Sequence, residues 1–241
     1  MPRPGSADLH LHTLASDGLI GPRELVDHVE AHTDLDVIAV TDHDETSAAA
    51  EAREWAARRG YRLQVIPGVE VTTRDGHMLA LFVEERPPAL WSLRQTAEWV
   101  VARGGVCLAP HPLTRWTHSL TARSLTPAIE ADLLTGVEVL NSSLAGRGSR
   151  PHALALAQQH GLAEVGASDA HMVAMIGLAR TRFPGHTAED LRAALVQRTT
   201  YAEGRFATPA EMAAEAIPQL ARSMLHLPLR RVARYVRSRA G

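Results

Sequence analysis

Between residues 6 and 171, short apolar or β-branched runs alternate with helix-length stretches almost without a break. That alternation constrains the fold more than any other feature, because strands separated by helices favour a parallel sheet covered by those helices. A first strand is expected near 6–12, then a helix near 22–33 with Pro22 suited to its first turn. Asp36 to Thr41 is apolar and β-branched, as a strand buried on both faces should be. An Ala- and Glu-rich helix over about 47–59 stops at Gly60. Further strands are expected near 62–66, 77–83, 106–109, 137–140 and 163–167, and helices near 91–103 and 151–160. The stretch 113–125 has no clear period and reads as a loop with a short helix after it. Seven strands with intervening helices or loops predict the α/β class. The closed barrel explains one further fact: catalytic groups of (β/α) barrels sit at the carboxyl ends of strands. Here those ends carry His12, His43, Glu70, His111 and the Asp169/His171 pair. His77 stands at the start of its strand, so parallel topology alone does not place it with the others.

After Arg180 the pattern changes. Thr187 heads a helix over about 188–198, and Thr208-Pro209-Ala210-Glu211 has capping-box spacing that starts another. Residues 1–185 are therefore expected to form the barrel, and 186–241 a helical extension packed on it. From Leu229 to Arg239, apolar positions alternate with arginines. Two readings stay open for this tail: a helix packed on the barrel with its arginines in water, or an amphipathic surface for anionic lipid or nucleic acid.

Charge and cysteine usage narrow the function classes. A formal net charge of −2 over 241 residues leaves no global nucleic-acid footprint. The basic residues are all arginine. Cys107 is the one cysteine, so no intrachain disulfide forms and a reducing compartment is expected. It lies in an apolar run and reads as a packed small hydrophobe. No apolar run approaches the roughly 20 residues of a membrane span, and no basic-then-apolar leader pattern opens the chain. A cytoplasmic protein is the expectation.

The chemistry begins at Asp8-Leu9-His10-Leu11-His12, which alternates polar and apolar. On a strand, Asp8, His10 and His12 share one face, and two imidazoles so spaced reach a single metal ion. Asp17 follows just beyond. The candidate ligands are His10, His12, Asp17, His43, Glu70, His77, His111, Asp169 and His171. Crowded together without cations, these groups would repel one another or sit desolvated. Nine are too many for one ion, so two or three divalent ions are implied; imidazole and carboxylate without thiolate suit Zn, Mn or Fe. Such a centre suits hydrolysis: a water bridging two ions about 3.5–4 Å apart loses its proton near pH 7, and the ions bind developing negative charge. Glu70, Asp169 and His171 are expected at the reacting centre, with Glu70 bridging. Arg115 is the expected phosphate anchor, since guanidinium matches phosphate oxygens bidentately; Arg147 and Arg180 stand behind it. Asn141 either touches substrate or holds backbone. Glu138 points inward if the register holds, and needs a partner that the sequence does not identify. Asp42 or Asp44 is expected to orient His43.

Taken in order, Asp-Leu-His-Leu-His-Thr-X-X-Ser-Asp-Gly, Thr-Asp-His-Asp, Pro-Gly-Val-Glu-Val, His-Pro and Ser-Asp-Ala-His resemble the motifs of the PHP (polymerase and histidinol phosphatase) family, across residues 8–171. The resemblance implies a distorted seven-stranded (β/α) barrel, TIM-like, with a di- or trinuclear metal site. It implies that His10, His12, Glu70 and Asp169 hold one ion, Glu70, His77 and His111 a second, and Asp17, His43 and His171 a third. His111 to Arg115 and Ile176 to Gly185 look more like the small stand-alone bacterial members than the polymerase-embedded ones. The helical insertion of the nucleotide-phosphatase relatives, between the Glu and His-Pro motifs, has no counterpart here. A metal-dependent phosphoesterase cleaving a small phosphate monoester or diester is the leading reading. Its substrate would be a small phosphorylated molecule, with nucleic acid entering only as a small nucleotide. An amidohydrolase or lactonase acting on a carbonyl substrate, and a non-catalytic metal-binding module, are the alternatives.

Overall fold

The computed structural model describes residues 3–221 apart from 89, 115 and 116. Its first half runs β1 (Gly5–Asp8), α1 (Pro22–His32), β2 (Val37–Val40), α2 (Ser47–Arg59), β3 (Gln64–Thr73), β4 (Gly76–Leu81), α3 (Leu93–Ala102) and β5 (Val106–Ala109). Its second half runs α4 (Ala122–Glu130), β6 (Gly136–Asn141), α5 (Leu144–His160), β7 (Ala163–Ala167), β8 (Ala179–Phe183), α6 (Ala188–Gln197), β9 (Tyr201–Gly204) and α7 (Pro209–Ala221). Among the described residues the strands form one sheet of nine, ordered β7-β6-β5-β4-β3-β2-β1-β8-β9. The seven expected strands are present, and β8 and β9, with α6 between them in the chain, add an antiparallel pair beside β1.

The sheet is not wholly parallel. Only Arg74 and Asp75 separate β3 from β4, and a two-residue connection can join only antiparallel strands. β4 therefore runs against both β3 and β5. This reversal brings the start of β4, and with it His77, to the rim where the parallel strands end.

The nine-stranded sheet nearly closes on itself. Gly166 N–H donates to Thr181 Oγ1 at 3.2 Å, and the same hydroxyl donates back to Gly166 O at 2.9 Å. His12 N–H donates to Ala170 O at 3.0 Å across the same seam. Residue 166 must be glycine for this closure, since a Cβ there would lie 2.3 Å from Arg180 O. Inside the barrel, Ala7, Leu9, Val37, Ala39, Ile66, Leu79, Leu81, Val106, Leu108 and Val165 form a packed apolar floor. Leu191, Ala194 and Leu195 of α6 join that interior cluster. Outside, α1 and α2 bury one apolar cluster against the sheet and α3, α4 and α5 another. Cys107 is fully buried in the second of these, as expected, and burial pushes its thiol up to about 12.

One helix expectation needs correction. α5 begins at Leu144, seven residues before the expected start, and carries Pro151 inside it. Its first turns hold Gly146 and Gly148, which hide a helix from a propensity reading. Thr208 does cap α7: its Oγ1 accepts from Glu211 N–H at 3.3 Å, and Glu211 Oε2 accepts from Thr208 N–H at 2.7 Å. Residues 222–241, including the basic tail, lie outside the described residues, as does Arg115. No helix among the described residues is long and apolar enough to cross a membrane. Gly166→Ala should destabilise the chain by about 1–3 kcal/mol, because the seam backbone must move to admit a Cβ. A wild-type midpoint in chemical denaturation would show that the seam tolerates it.

Candidate metal centre

Strand parity carries the site. Ile66 faces the barrel interior, so Gly68 and Glu70 face the same way further along β3. Val37 and Ala39 likewise lead to His43, and Ala163, Val165 and Ala167 to Asp169. Leu79 and Leu81 share their face with His77 on the reversed strand. The floor is thus apolar and the rim carries imidazoles and carboxylates. One expectation fails locally: β1 ends at Asp8, so His10 and His12 lie beyond the strand. Leu9 packs inside the barrel whereas Leu11 packs outside against α1 and α2. Asp8 parts from the histidines and accepts from Ser168 N–H and Gly177 N–H at 3.0 and 2.9 Å.

Glu70 is the centre of the cluster and is 1% exposed. Its Oε2 lies 3.2 Å from His10 Nε2, 3.3 Å from His12 Nε2 and 3.2 Å from His43 Nδ1. Its Oε1 lies 3.0 Å from His77 Nδ1 and 3.2 Å from His111 Nε2. Asp169 Oδ1 adds a second carboxylate oxygen 3.4 Å from both His10 Nε2 and His12 Nε2. On the outer side, Asp17 lies 3.4 Å from His171 Nε2, 3.6 Å from His12 Nδ1 and 3.8 Å from His43 Nε2. All nine residues expected as ligands are therefore brought together.

The loop carrying Asp17 is tied down by Asp42. Asp42 Oδ1 accepts from Thr13 N–H at 2.7 Å, Ser16 N–H at 3.1 Å and the Ser16 hydroxyl at 2.5 Å, and Oδ2 accepts from the Thr13 hydroxyl at 2.6 Å. Gly18 closes the turn, because a Cβ there would lie 2.4 Å from the His12 backbone. Asp44 accepts from Thr72 N–H at 2.8 Å. The expectation that Asp42 or Asp44 orients His43 is thus corrected: these carboxylates hold backbone on either side of it.

The distal ring nitrogens are also held. His10 Nδ1–H donates to Glu138 Oε1 at 2.8 Å, which supplies the partner that the sequence left open for Glu138. His171 Nδ1–H donates to Asp169 O at 3.0 Å. His111 Nδ1 is held by two hydroxyls, Ser119 Oγ at 3.0 Å and Thr117 Oγ1 at 3.2 Å, and Ser119 also donates to His111 O at 2.9 Å. At His10 and His171, fixing the outer N–H on an acceptor in this way leaves Nε2 as the nitrogen whose lone pair can meet a cation. Ser119 sits in a stretch without periodicity, and no sequence signal pointed to it. Glu138 was signalled by being a carboxylate between Val137 and Val139 on an inward position.

Electrostatics show how short of positive charge the cluster is. At His12 burial pulls the ring down, but Asp169, Glu70 and Asp17 outweigh it and push the group up to about 10. His10 and His111 are raised against burial by the same kind of neighbours. At His43 burial wins and draws the ring down to about 4. Burial pushes Asp17, Glu70 and Asp169 up, yet the surrounding imidazoles hold all three below the ordinary carboxylate range. The carboxylates thus recruit positive charge that a cation could equally supply.

The donor geometry fits such a cation. His12 Nε2 and His43 Nδ1 are buried and make no hydrogen bond, although Glu70 Oε2 is 3.3 and 3.2 Å away. Two donors each about 2.0–2.2 Å from one ion, at tetrahedral or octahedral angles, lie roughly 2.8–3.6 Å apart, and the contacts around Glu70 span 3.0–3.3 Å. Four overlapping donor sets occur: His10, His12 and Glu70; His43, Glu70 and His77; His10, His111 and Asp169; and His12, Asp17, His43 and His171. The last contains the third ion's expected set, whereas His77 groups with His43 and not with His111.

The expected substrate contacts fare differently. Arg180 reaches Asp34 and the Gly177 carbonyl, away from the cluster. Arg147 stacks over Phe206. Asn141 is 1% exposed and its amide is already engaged: Nδ2 donates to Glu138 Oε2 at 2.8 Å and Asp169 Oδ2 at 3.3 Å, and Oδ1 accepts from Ser143 N–H at 2.9 Å. Of its two expected roles, touching substrate or holding the chain, the geometry supports the second.

The PHP domain family matches residues 8–165, and a PHP-associated family matches residues 149–200. The 5'-3' exoribonuclease Rnm of Salmonella typhimurium is 42% identical over 102 residues, 40% of this chain and 34% of that protein. The 3',5'-nucleoside bisphosphate phosphatase of Chromobacterium violaceum is 40% identical over 87 residues, 34% of this chain and 30% of that protein. The chain thus matches about a third of the length of these relatives. Among solved structures, a two-domain protein of Bacteroides vulgatus containing a predicted PHP-like metal-dependent phosphoesterase superposes with a TM-score of 0.67 at 24% identity, covering 83% of this chain and 64% of that one.

Asp42→Ala should destabilise the fold by about 1–3 kcal/mol for each buried donor it leaves unmet, while Asp42→Asn, which keeps an acceptor, should cost less. Equal denaturation midpoints for Asp42→Ala and wild type would show that the loop does not depend on this carboxylate.

Proposed function

The chain belongs to the PHP domain family, and on that premise we propose that it is a metal-dependent phosphoesterase acting on a small phosphate monoester or diester. The observation that carries the reading is Glu70, one buried carboxylate in contact with five imidazoles from different parts of the barrel rim. The donors His10, His12, Asp17, His43, Glu70, His77, His111, Asp169 and His171 would hold two or three divalent ions. When bound, the ions would supply Lewis acidity and lower the pKa of water.

The protein's own groups do the rest. His10 and His12 are fully buried, whereas the side chains of His43, His77 and Asp169 are 20%, 15% and 11% exposed. Substrate therefore approaches over that open edge. Asp169, with one oxygen turned to His10 and His12, is placed to accept a proton from an attacking water. His171 stacks on His12 with ring centroids 4.2 Å apart and fixes the far wall. Donor atoms clustered around Glu70 favour a phosphoryl group, whose several oxygens can each meet a separate cation. The relatives named as an exoribonuclease and a nucleoside bisphosphate phosphatase support a phosphorus centre over a carbonyl one. Arg115 remains the proposed phosphate anchor on its chemistry alone.

Metal-stripped protein should regain hydrolysis of p-nitrophenyl phosphate or bis-p-nitrophenyl phosphate when Mn, Zn or Fe is returned singly. Glu70→Gln should lose more than about 100-fold of that rate, since even partners lying outside the donor set are worth 10–100-fold. Full activity in Glu70→Gln would overturn the assignment. Binding of two or more ions with no turnover of either ester would shift the reading to a carbonyl substrate.

A further inference from the structure

Glu138 is a buried carboxylate that the proposed chemistry does not use. It sits on β6 where the register slips between Glu138 and Leu140, a bulge that re-aims the strand end. Its Oε1 accepts from His10 Nδ1–H at 2.8 Å. Its Oε2 accepts from His111 N–H at 2.8 Å and from Asn141 Nδ2–H at 2.8 Å. Asn141 passes its other amide proton to Asp169 Oδ2 at 3.3 Å. Two adjacent side chains of one strand thus reach three donor residues that belong to three other segments of the rim.

Two of those three residues have unfavourable backbone conformations. His111 has φ 27° and Asp169 φ 56°, a region that non-glycine residues rarely adopt. Such conformations persist only where surrounding contacts over-determine them. The His111 N–H bond to Glu138 is one such contact, and the Asn141 bond to the Asp169 carboxylate is another. The His10 bond acts differently: an acceptor-only carboxylate on Nδ1 holds the proton on that nitrogen and leaves the Nε2 lone pair for a cation beside Glu70.

We infer that Glu138 and Asn141 form a buried clamp that positions His10, His111 and Asp169 together and thereby sets the metal affinity of the centre. The inference rests on the reading of those three residues as metal donors. Glu138 and Asn141 are positioning residues: both are buried, and neither is among the donors grouped around Glu70. Glu138→Gln keeps the shape but presents an amide N–H₂ where three donors already converge, so at least one contact becomes donor against donor.

The test is Zn(II) binding to the full chain, measured by competition with a chromophoric chelator. Wild type should take up two or more ions. Glu138→Gln should bind about 10–100-fold more weakly, the loss typical of removing a partner behind a metal-bound imidazole. Asn141→Ala, which leaves Glu138 in place, should lose less but still several-fold. A second readout isolates the imidazole: with ¹⁵N-labelled histidine in the Zn-loaded protein, the His10 Nδ1–H should be protected from exchange in wild type and unprotected in Glu138→Gln. The His171 Nδ1–H, held by the Asp169 carbonyl, should stay protected in both. Wild-type affinity in both variants, or an unchanged His10 signal, overturns the clamp while leaving the centre standing. No Zn uptake by wild type overturns the metal-centre reading itself, and the clamp with it. Should Glu138→Gln not fold, Asn141→Ala decides alone: a several-fold loss supports the clamp and wild-type affinity overturns it.

Discussion

One carboxylate, that of Glu70, sits almost without solvent among five imidazoles, and the rest of the molecule is arranged so that it can. A buried anion is costly unless positive charge and hydrogen bonds surround it. No single strand could supply those groups. His10 and His12 come from just beyond β1, His43 from beyond β2, His77 from the start of β4 and His111 from beyond β5. A sheet that curls nearly shut is what brings five such points within about one donor-to-donor distance of a common centre. The reversal of β4 belongs to the same requirement, because it turns a strand start into a rim position.

The barrel also separates the site from the floor that supports it. Below the rim the interior is filled with Val, Leu, Ile and Ala, with residues of α6 packed in the same cluster. Close-packed side chains transmit displacement and do not absorb it, so the donors stand on a rigid base. Above the base, carboxylates pin the connecting segments: Asp42 the loop before Asp17, Asp8 the segments at Ser168 and Gly177, and Glu138 the His111 backbone. Aspartate and glutamate here divide their work between facing the cluster and holding the chain that presents it.

Much of this was legible in the chain. The helix 47–59 and the strands 106–109 and 163–167 were readable because a run of one periodicity ended at Gly60, at Pro110 and at Ser168. Most of the candidate donors were readable because they lie at or just beyond the ends of apolar strands, whereas His77, at the start of β4, joins them only through the reversal of that strand. What was hidden depended on long-range pairing. Ala-Arg-Thr-Arg-Phe of β8 and Tyr-Ala-Glu-Gly of β9 carry no apolar run, and they become strands by pairing with each other and with β1. Leu9 and Leu11 look equivalent, yet β1 ends at Asp8 and the two leucines pack in different clusters. The partner of Glu138 lies 128 residues earlier, at His10, and no local pattern can announce a contact of that span. For Asn141 the sequence left two roles open, touching substrate or holding backbone, and only the folded chain shows its amide filled.

In the proposed centre, divalent ions complete this cluster with Glu70 between them. Anomalous diffraction from crystals grown with Mn or Zn, recorded at the absorption edge of the metal, tests that most directly. Two or three peaks are expected in the barrel mouth, with Glu70 coordinating more than one of them at about 2.0–2.2 Å. Crystals that show no peak within coordinating distance of Glu70 would contradict that arrangement.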